Sequence, residues 1–509
     1  MQLFEVYILL TLTTVGLIVG RILRPDPLDH FPGPVVARWT WLYRAYYDIV
    51  VGGGWLSHLS TLHEKYGPVV RVGRNELHFT DPAAYAEIYN SPYKMPKDPA
   101  LYTRAFTFGR SPNSFATINN KDHSEVKSLI SSYFSRKGIL RLEHVIQERV
   151  DRLISQLLKN HKASPANMHH AFRSVSLDII TQYTLRTSPD ATSFPSFHHP
   201  AITGVDEAIL STWLFKHFTA LKQVAASLPS WLAALMGTGV KANIELNAQV
   251  EEFVDKALQD YENKPSSDVG GHDDDDLNVF YTLVRNARIE GKLRQSSRVT
   301  KNWLISEGVG FRVAGSDTVG NTCTIGTRYL IREDQVRIKL VQELETAWPD
   351  KGNPIPLERL EKLPYLTAVI KESLRLSFGV VTPMTRVVPD SGAVISGHPV
   401  PSGTIVSIGN SFVHMNPEIF SDPARFYPER WLEDKDHALD RYLVTFGKGP
   451  RSCIGINLAW SELYIIFGNV FRKLDLHSDN DIWSEVQLGE YFVPMYKGDV
   501  LSATAKERE

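Results

Sequence analysis

The sequence predicts a mainly helical α+β domain carried behind an N-terminal membrane helix. Three observations predict it. Apolar residues recur at three and four spacing through most of the stretch from His123 to Ala347. Two regions, Gly67 to Phe79 and the stretch after Val380, instead read as short β-hairpins. The first residues form an uncharged apolar run, "VYILLTLTTVGLIVG", Val6 to Gly20. Apolar content of 43% and charged content of 22% suit a globular chain with a large core, and a net charge of −2 gives no basic excess for nucleic acid.

Taken in order, Leu3 to Leu23 is about the length needed to span a bilayer. Arg21 and Arg24 on its C-terminal side place that side in the cytoplasm. A cleaved signal peptide is the alternative, but no positively charged segment precedes the run. Residues 1–24 are therefore expected as an anchor. Residues 25–34, with Pro25, Pro27, Pro32 and Pro34, are expected as a stiff extended linker. Residues 35–509 are expected as one domain.

In that domain, "GPVVRVGRNELHF" is a hairpin broken at Gly73 and Asn75, and Asp81-Pro82 opens a helix. "LEHVIQERVDRLISQLL", Leu142 to Leu158, is an amphipathic helix. The run Asn263 to Asn278 contains four consecutive aspartates, which read as a solvated loop rather than a cation site, because metal loops space their oxygens. Another helix runs from Asn302 to about Tyr329. After Val380, Pro383, Pro389, Gly392, Gly397, Pro401 and Gly403 punctuate short strands, and helical periodicity returns after Cys453.

The chain has two cysteines, Cys323 and Cys453, too few for a disulfide framework. Cys453 lies in "FGKGPRSCIG". Lys448 and Arg451 precede it, and the helix that follows places it at a helix N-terminus; both features favour a thiolate. Gly447, Gly449 and Gly455 remove side chains where a flat group could approach. Metal sites built from cysteine alone need several thiols. A single thiolate suits an iron already held by a macrocycle, which is haem with a cysteine axial ligand.

The pattern F-x-x-G-x-R-x-C-x-G is met at Phe446, Gly449, Arg451, Cys453 and Gly455. It resembles the haem-binding signature of the cytochrome P-450 monooxygenases, and the resemblance extends over nearly the whole chain. It implies that fold, a large helical part with a smaller β-rich part, and haem b with Cys453 on its iron. "AGSDT" resembles the family's oxygen-groove helix. Ala314 and Gly315 are then implied to border the haem, Thr318 to hydrogen-bond dioxygen and Asp317 to relay protons. Phe311, Ala314, Gly315 and Thr318 share one helical face. Arg312 is an unusual charge for such a helix and is expected to face outward and pair elsewhere.

Glu372 and Arg375 in "KESLR" stand one turn apart and can pair. With Arg430 of "FYPERW" they resemble the family's structural Glu–Arg–Arg lock. The haem propionates call for cations, and Arg451, Arg386 and Lys127 are the candidates, with His123 beside Lys127. "HSEVK" departs from the family's W-x-x-x-R, placing a point charge where an arginine fork is usual. The segments Leu101 to Phe115, Thr212 to Met236, Val380 to Met384 and Tyr491 to Met495, with Phe311, correspond to the family's pocket walls. "LPSWLAALM", Leu228 to Met236, is further expected to touch membrane lipid through Trp231.

The resemblance is strongest to fungal microsomal members. It implies an endoplasmic-reticulum enzyme, its catalytic domain facing the cytoplasm, that takes NADPH-derived electrons from a reductase, with cytochrome b5 as a second donor. The implied reaction is hydroxylation or epoxidation of a lipophilic intermediate, a terpenoid, polyketide or alkaloid. Basic residues on the Cys453 side are expected to dock the reductase. Two alternatives stay open: a haem-thiolate isomerase or dehydratase that needs no reductase, and a non-catalytic membrane-anchored binding protein.

Overall fold

The longest helix of the molecule, Lys301–Arg332, is buried along most of its length and organises everything around it. The computed structural model describes residues 26–107, 111–263, 279–280, 283–284, 299–478 and 487–509, together with Thr13. Its longer helices are α1 (Trp55–Tyr66), α2 (Pro82–Tyr89), α3 (Asn120–Ile130), α4 (Glu143–Asn160), α5 (Met168–Leu185), α6 (Pro200–His217), α7 (Thr219–Ser227), α8 (Thr238–Asn263), α9 (Lys301–Arg332), α10 (Asp334–Ala347), α11 (Pro364–Ser377) and α12 (Ile456–Lys473). Their starts are chemically marked. Asp81 accepts from Ala83 N–H with Pro82 behind it, Asn119 caps α3, Asn167 caps α5, and Thr300 accepts from Trp303 N–H.

The 32 residues of α9 make a rod about 48 Å long. It has no strong polar face because it is packed nearly all round. Its glycines mark the closest crossings. A Cβ on Gly320 would stand 2.8 Å from the Arg173 Cα in α5, and one on Gly315 would stand 2.6 Å from Ile180. On the other side, Gly326 accommodates Ser373 of α11 and Phe467 of α12.

The strands are short. β1 (Val69–Gly73), β2 (Glu76–Phe79), β7 (Ile405–Ser407) and β4 (Arg386–Val387) form one sheet in the order β1-β2-β7-β4, with β2 and β7 parallel. The expected hairpin at Gly67 to Phe79 is β1 and β2, with Val69 opposite Phe79. β3 (Ala166–Asn167), β11 (Ser502–Glu507) and β8 (Leu474–His477) form a second sheet in the order β3-β11-β8. β5 (Ala393–Ile395) pairs with β6 (His398–Val400), and β9 (Leu488–Tyr491) with β10 (Val493–Tyr496). One apolar core joins α3, α4, α5, α9, α11 and α12, and a second lies under the β1–β7 sheet.

The expected anchor falls on residues outside those described, Thr13 excepted. Among the described residues no helix is long and apolar enough to cross a membrane. The aspartate run likewise lies outside the described residues. Residues 26–34 differ from the expected extended spacer. They turn at 27–30, bury Leu28 and Phe31, and offer Asp26 and Asp29 to the buried Arg71 guanidinium. Gly33 lies so close to Arg71 that a Cβ would sit 2.1 Å from its carbonyl oxygen. An ion pair thus fastens this segment to β1. Arg312 also differs from the outward position expected. It is 2% exposed and its guanidinium donates to Asn243 Oδ1 and Asn247 Oδ1 of α8, at 3.1 to 3.2 Å. Those amide oxygens meet part of the hydrogen-bonding demand of a cation that α8 covers, leaving Nε without a described partner.

Candidate haem-thiolate site

Two glycines with left-handed backbone, Gly447 (φ 69°) and Gly449 (φ 71°), turn the chain into the loop before α12. A Cβ on Gly449 would lie 2.4 Å from the Tyr89 carbonyl oxygen, so the loop is clamped on the end of α2. Cys453 N–H closes the turn on Phe446 O at 2.8 Å. The helix begins three residues past the thiol, with Gly455 at its N-cap. Cys453 is therefore aimed by the loop and lies just outside the first helical turn.

The Cys453 side chain opens into an internal cavity of about 310 Å³, lined chiefly by apolar groups. Burial raises the thiol above its ordinary pKa, against a hydrogen bond from Gly455 N–H and the charge of Lys127. The expected lowering by basic neighbours is thus outweighed by desolvation in the protein alone. A metal cation reverses that sign, because a coordinating thiol is deprotonated outright.

On α9, Phe311, Ala314, Gly315, Thr318 and Val319 line the same cavity. Gly315 serves packing as well as space, since Ile180 fills the position of its absent side chain and lines the cavity too. Thr318 Oγ1 donates to Ala314 O at 3.1 Å. Asp317, expected as a proton relay, is not on this wall. Its carboxylate turns to α5 and is held by Arg173 Nε, while Arg173 also pairs with Asp206 at 2.7 Å. Burial raises the Asp317 carboxyl even though Arg173 opposes it. It borders a separate void of about 10 Å³ with His169, Asp206 and Asn321.

One edge of the cavity is cationic. Arg451 donates to Asn120 Oδ1, Thr117 O and Ile118 O at 2.8 to 2.9 Å. Arg386 donates to the Tyr102 hydroxyl at 2.7 Å and to Thr385 O at 3.0 Å. Lys127 donates to Pro450 O at 3.0 Å. Lys97, not anticipated from sequence, is 4% exposed and donates to Phe115 O, its ammonium 4.2 Å from the Tyr102 and Phe115 rings. Each of these donates to neutral oxygens, and among the described residues none of them has a carboxylate partner. Burial and the mutual repulsion of these cations lower Lys97 well below the usual lysine range and bring Arg451 down to about 10. His123, half-buried on the same edge, is pushed to about 3 by burial and the surrounding positive charge.

Crowded cations without a counter-anion call for an anion. An apolar slot with a thiol on one face and such an edge fits a flat, apolar macrocycle bearing acidic arms, which is haem. The residues present fit the group.

Behind the Cys453 loop, Glu372 and Arg375 are fully buried and doubly hydrogen-bonded at 2.8 and 3.0 Å. Arg430 Nε adds a bond to Glu372 at 3.1 Å. Trp431 Nε1 and Tyr427 N–H, which sequence reasoning missed, donate to the same carboxylate at 2.9 Å. Of the expected pocket walls, Tyr102, Phe115, Val380, Met384 and Phe492 face the cavity. Residues 212 to 236 do not. α7 and the turn after it lie on the surface, where the exposed face is strongly apolar. Phe446 lines the cavity beside Cys453; Glu307 lines it as well, and its position on the Phe311–Thr318 face was a signal available in the sequence.

A family model, Cytochrome P450, matches residues 32–497. Among curated proteins the chain is similar to Cytochrome P450 monooxygenase BOT1 of Botryotinia fuckeliana, 32% identical over 92% of this chain and 88% of that one. It is also similar to Cytochrome P450 monooxygenase flvC of Aspergillus flavus, 30% identical over 95% and 92%. Conidiogenone synthase PchP450 of Penicillium rubens is 31% identical over 91% and 90%. The thiol-faced cavity with its cationic edge, and likeness along almost the full length, have one reading: the chain belongs to the cytochrome P450 family and is a monooxygenase.

Proposed function

We propose that this monooxygenase inserts one oxygen atom from dioxygen into a lipophilic small molecule of fungal secondary metabolism, using NADPH-derived electrons delivered by a flavoprotein reductase. The observation that carries the reading is the single thiol of Cys453 facing Ala314, Gly315 and Thr318 across an apolar cavity. Bound haem supplies the activation of dioxygen, and a thiolate ligand favours cleavage of the O–O bond. The chain's own part is positioning and exclusion. Cys453 would hold the metal, and Arg386, Arg451 and Lys97 would take the acidic arms, with Lys127 and His123 beside them. Phe446 packs next to the thiol. Ala314 and Gly315 keep side-chain bulk out of the gap above Cys453. The Thr318 hydroxyl, already turned on its own helix, can hold a proton at Oγ1 in that gap. Phe115, Phe311, Val380, Met384 and Phe492 exclude water.

The oxidised product class is a hydroxylated or epoxidised terpenoid, polyketide or alkaloid. One relative's name, conidiogenone synthase, supports a biosynthetic role. The reductase, with cytochrome b5 as a second donor, docks on the Cys453 side, where Lys121, Lys137 and Arg441 are exposed. The enzyme resides on the endoplasmic reticulum by the apolar run before residue 25, its body facing the cytoplasm. An exposed apolar face supports that siting: Trp41 packs on Phe218 at 5.5 Å, and Val224, Trp231 and Leu235 extend the surface.

The test is turnover of a terpenoid and polyketide panel with isotope-labelled dioxygen. Label in the product only when NADPH and reductase are both present is the expected result. Turnover without either contradicts it and favours the isomerase or dehydratase alternative.

A further inference from the structure

Glu307 lies on α9 two turns before Ala314 and Gly315, on the face that also carries Phe311 and Thr318, and it lines the cavity with them. It is 2% exposed. Among the described residues, its charge-relieving contacts come from the loop 111–114. Ser114 N–H donates to Oε2 at 2.7 Å and the Ser114 hydroxyl donates to Oε1. Asn113, equally buried, lays its amide over Gly310, where a Cβ would sit 2.3 Å from Nδ2, and donates to Ser306 O.

No described cation pairs with Glu307: burial, relieved only by the two bonds from Ser114, pushes its carboxyl up to about 7. A carboxyl has about four lone-pair sites, and Ser114 occupies two of them. Asn113, Ser114, Gly310 and Phe311 line the cavity with it, and no described lysine or arginine pairs with its carboxylate. A buried acceptor with spare capacity in an apolar pocket discriminates strongly between ligands that can satisfy it and ligands that cannot.

We propose that Glu307, supported by Asn113 and Ser114, accepts a hydrogen bond from a hydroxyl group of the substrate and so fixes which carbon meets the haem. This rests on the monooxygenase reading above. Eight residues of helix separate Glu307 from Gly315, so the anchored hydroxyl and the oxidised carbon are about 12 Å apart. The substrate is then an apolar skeleton already hydroxylated at one end, and the reaction that supplies it is itself an oxygenation or a hydration.

Loop tethering alone is the competing role, and it moves stability without moving ligand preference. The experiment uses the full-length haem-loaded protein and its E307M variant. Probes are 1-decanol, its methyl ether and decanoic acid, read by haem spin state and by tryptophan quenching. In the unmodified protein 1-decanol binds about tenfold tighter than the ether, because only the alcohol donates. Decanoic acid binds worse than either, since two carboxyl groups meet. In E307M, which has no comparable acceptor, the alcohol's advantage falls within about twofold and the acid gains. Equal binding of alcohol and ether to the unmodified protein overturns the proposal, and that comparison needs no variant. So does an undiminished alcohol preference in E307M. Failure of the underlying reading is separately visible as protein that takes up no haem.

Discussion

Glu372 accepts from Arg375, Arg430, Trp431 and Tyr427 while fully buried, so its charge is essential to two guanidinium groups at once. Replacing it by Ala leaves both uncompensated, a change worth about 3–5 kcal/mol. Glu372→Ala is expected to yield little haem-loaded protein, measured as the haem-to-protein absorbance ratio. Nearby, His414 accepts from Val444 N–H at 3.0 Å through Nε2, and burial beside Arg375 holds its pKa near 3. A folded pKa below the unfolded value of 6.5 means its contribution is complete above 6.5 and is lost as pH falls. His414→Gln keeps an acceptor and removes the titration. Between pH 6.5 and 5 the wild type should lose about 2 kcal/mol more than the variant in denaturant titrations. An equal pH slope in the two proteins argues against a buried neutral imidazole. At this scale the sequence was readable where a residue sits in a spaced motif, as with Cys453, Glu372 and Thr318. It was unreadable where burial depends on partners remote in the chain. Lys97 reaches the cavity from beside β4, and Arg173 of α5 draws Asp317 away from it.

The crossing of α5 and α9 is the element on which the cavity depends, because Gly315 and Gly320 let the two helices approach to backbone contact. Gly320→Ala puts a methyl group 2.8 Å from the Arg173 Cα, which a side-chain rotation cannot relieve. It is expected to destabilise by about 1–3 kcal/mol and to loosen substrate binding, measured by thermal midpoint and ligand titration. Gly352→Ala, on an exposed turn near only Asp350, is the control. The helices themselves were legible from periodicity: the predicted stretch Leu142 to Leu158 is α4, Glu143–Asn160. The strands between Val380 and Cys453 were legible only as punctuation. At two to three residues each, their pairing is set by distant partners, such as β2 against β7, and a local pattern cannot carry that.

For the molecule as a whole, exposed apolar residues include Trp41, which meets Phe218, and Trp231 and Leu235 in the segment after α7. Membrane contact there predicts that Trp231→Ser with Leu235→Ser weakens partition into lipid vesicles several-fold without changing the haem spectrum. Unchanged partition would assign that face another partner. The same segment shows why sequence position alone misplaced it: its apolar residues were expected on the pocket wall, yet α7 buries none of its residues. The fold class was legible because a motif of fixed spacing and a long helical texture agreed. The packing of residues 26–34 was not, since prolines read as extended whether or not Arg71 holds them. The most direct measurement is the carbon monoxide difference spectrum of the reduced haem-loaded protein and of Cys453→Ala. The account predicts the long-wavelength band of a thiolate-ligated haem in the first and its loss in the second; the same band in both would contradict it.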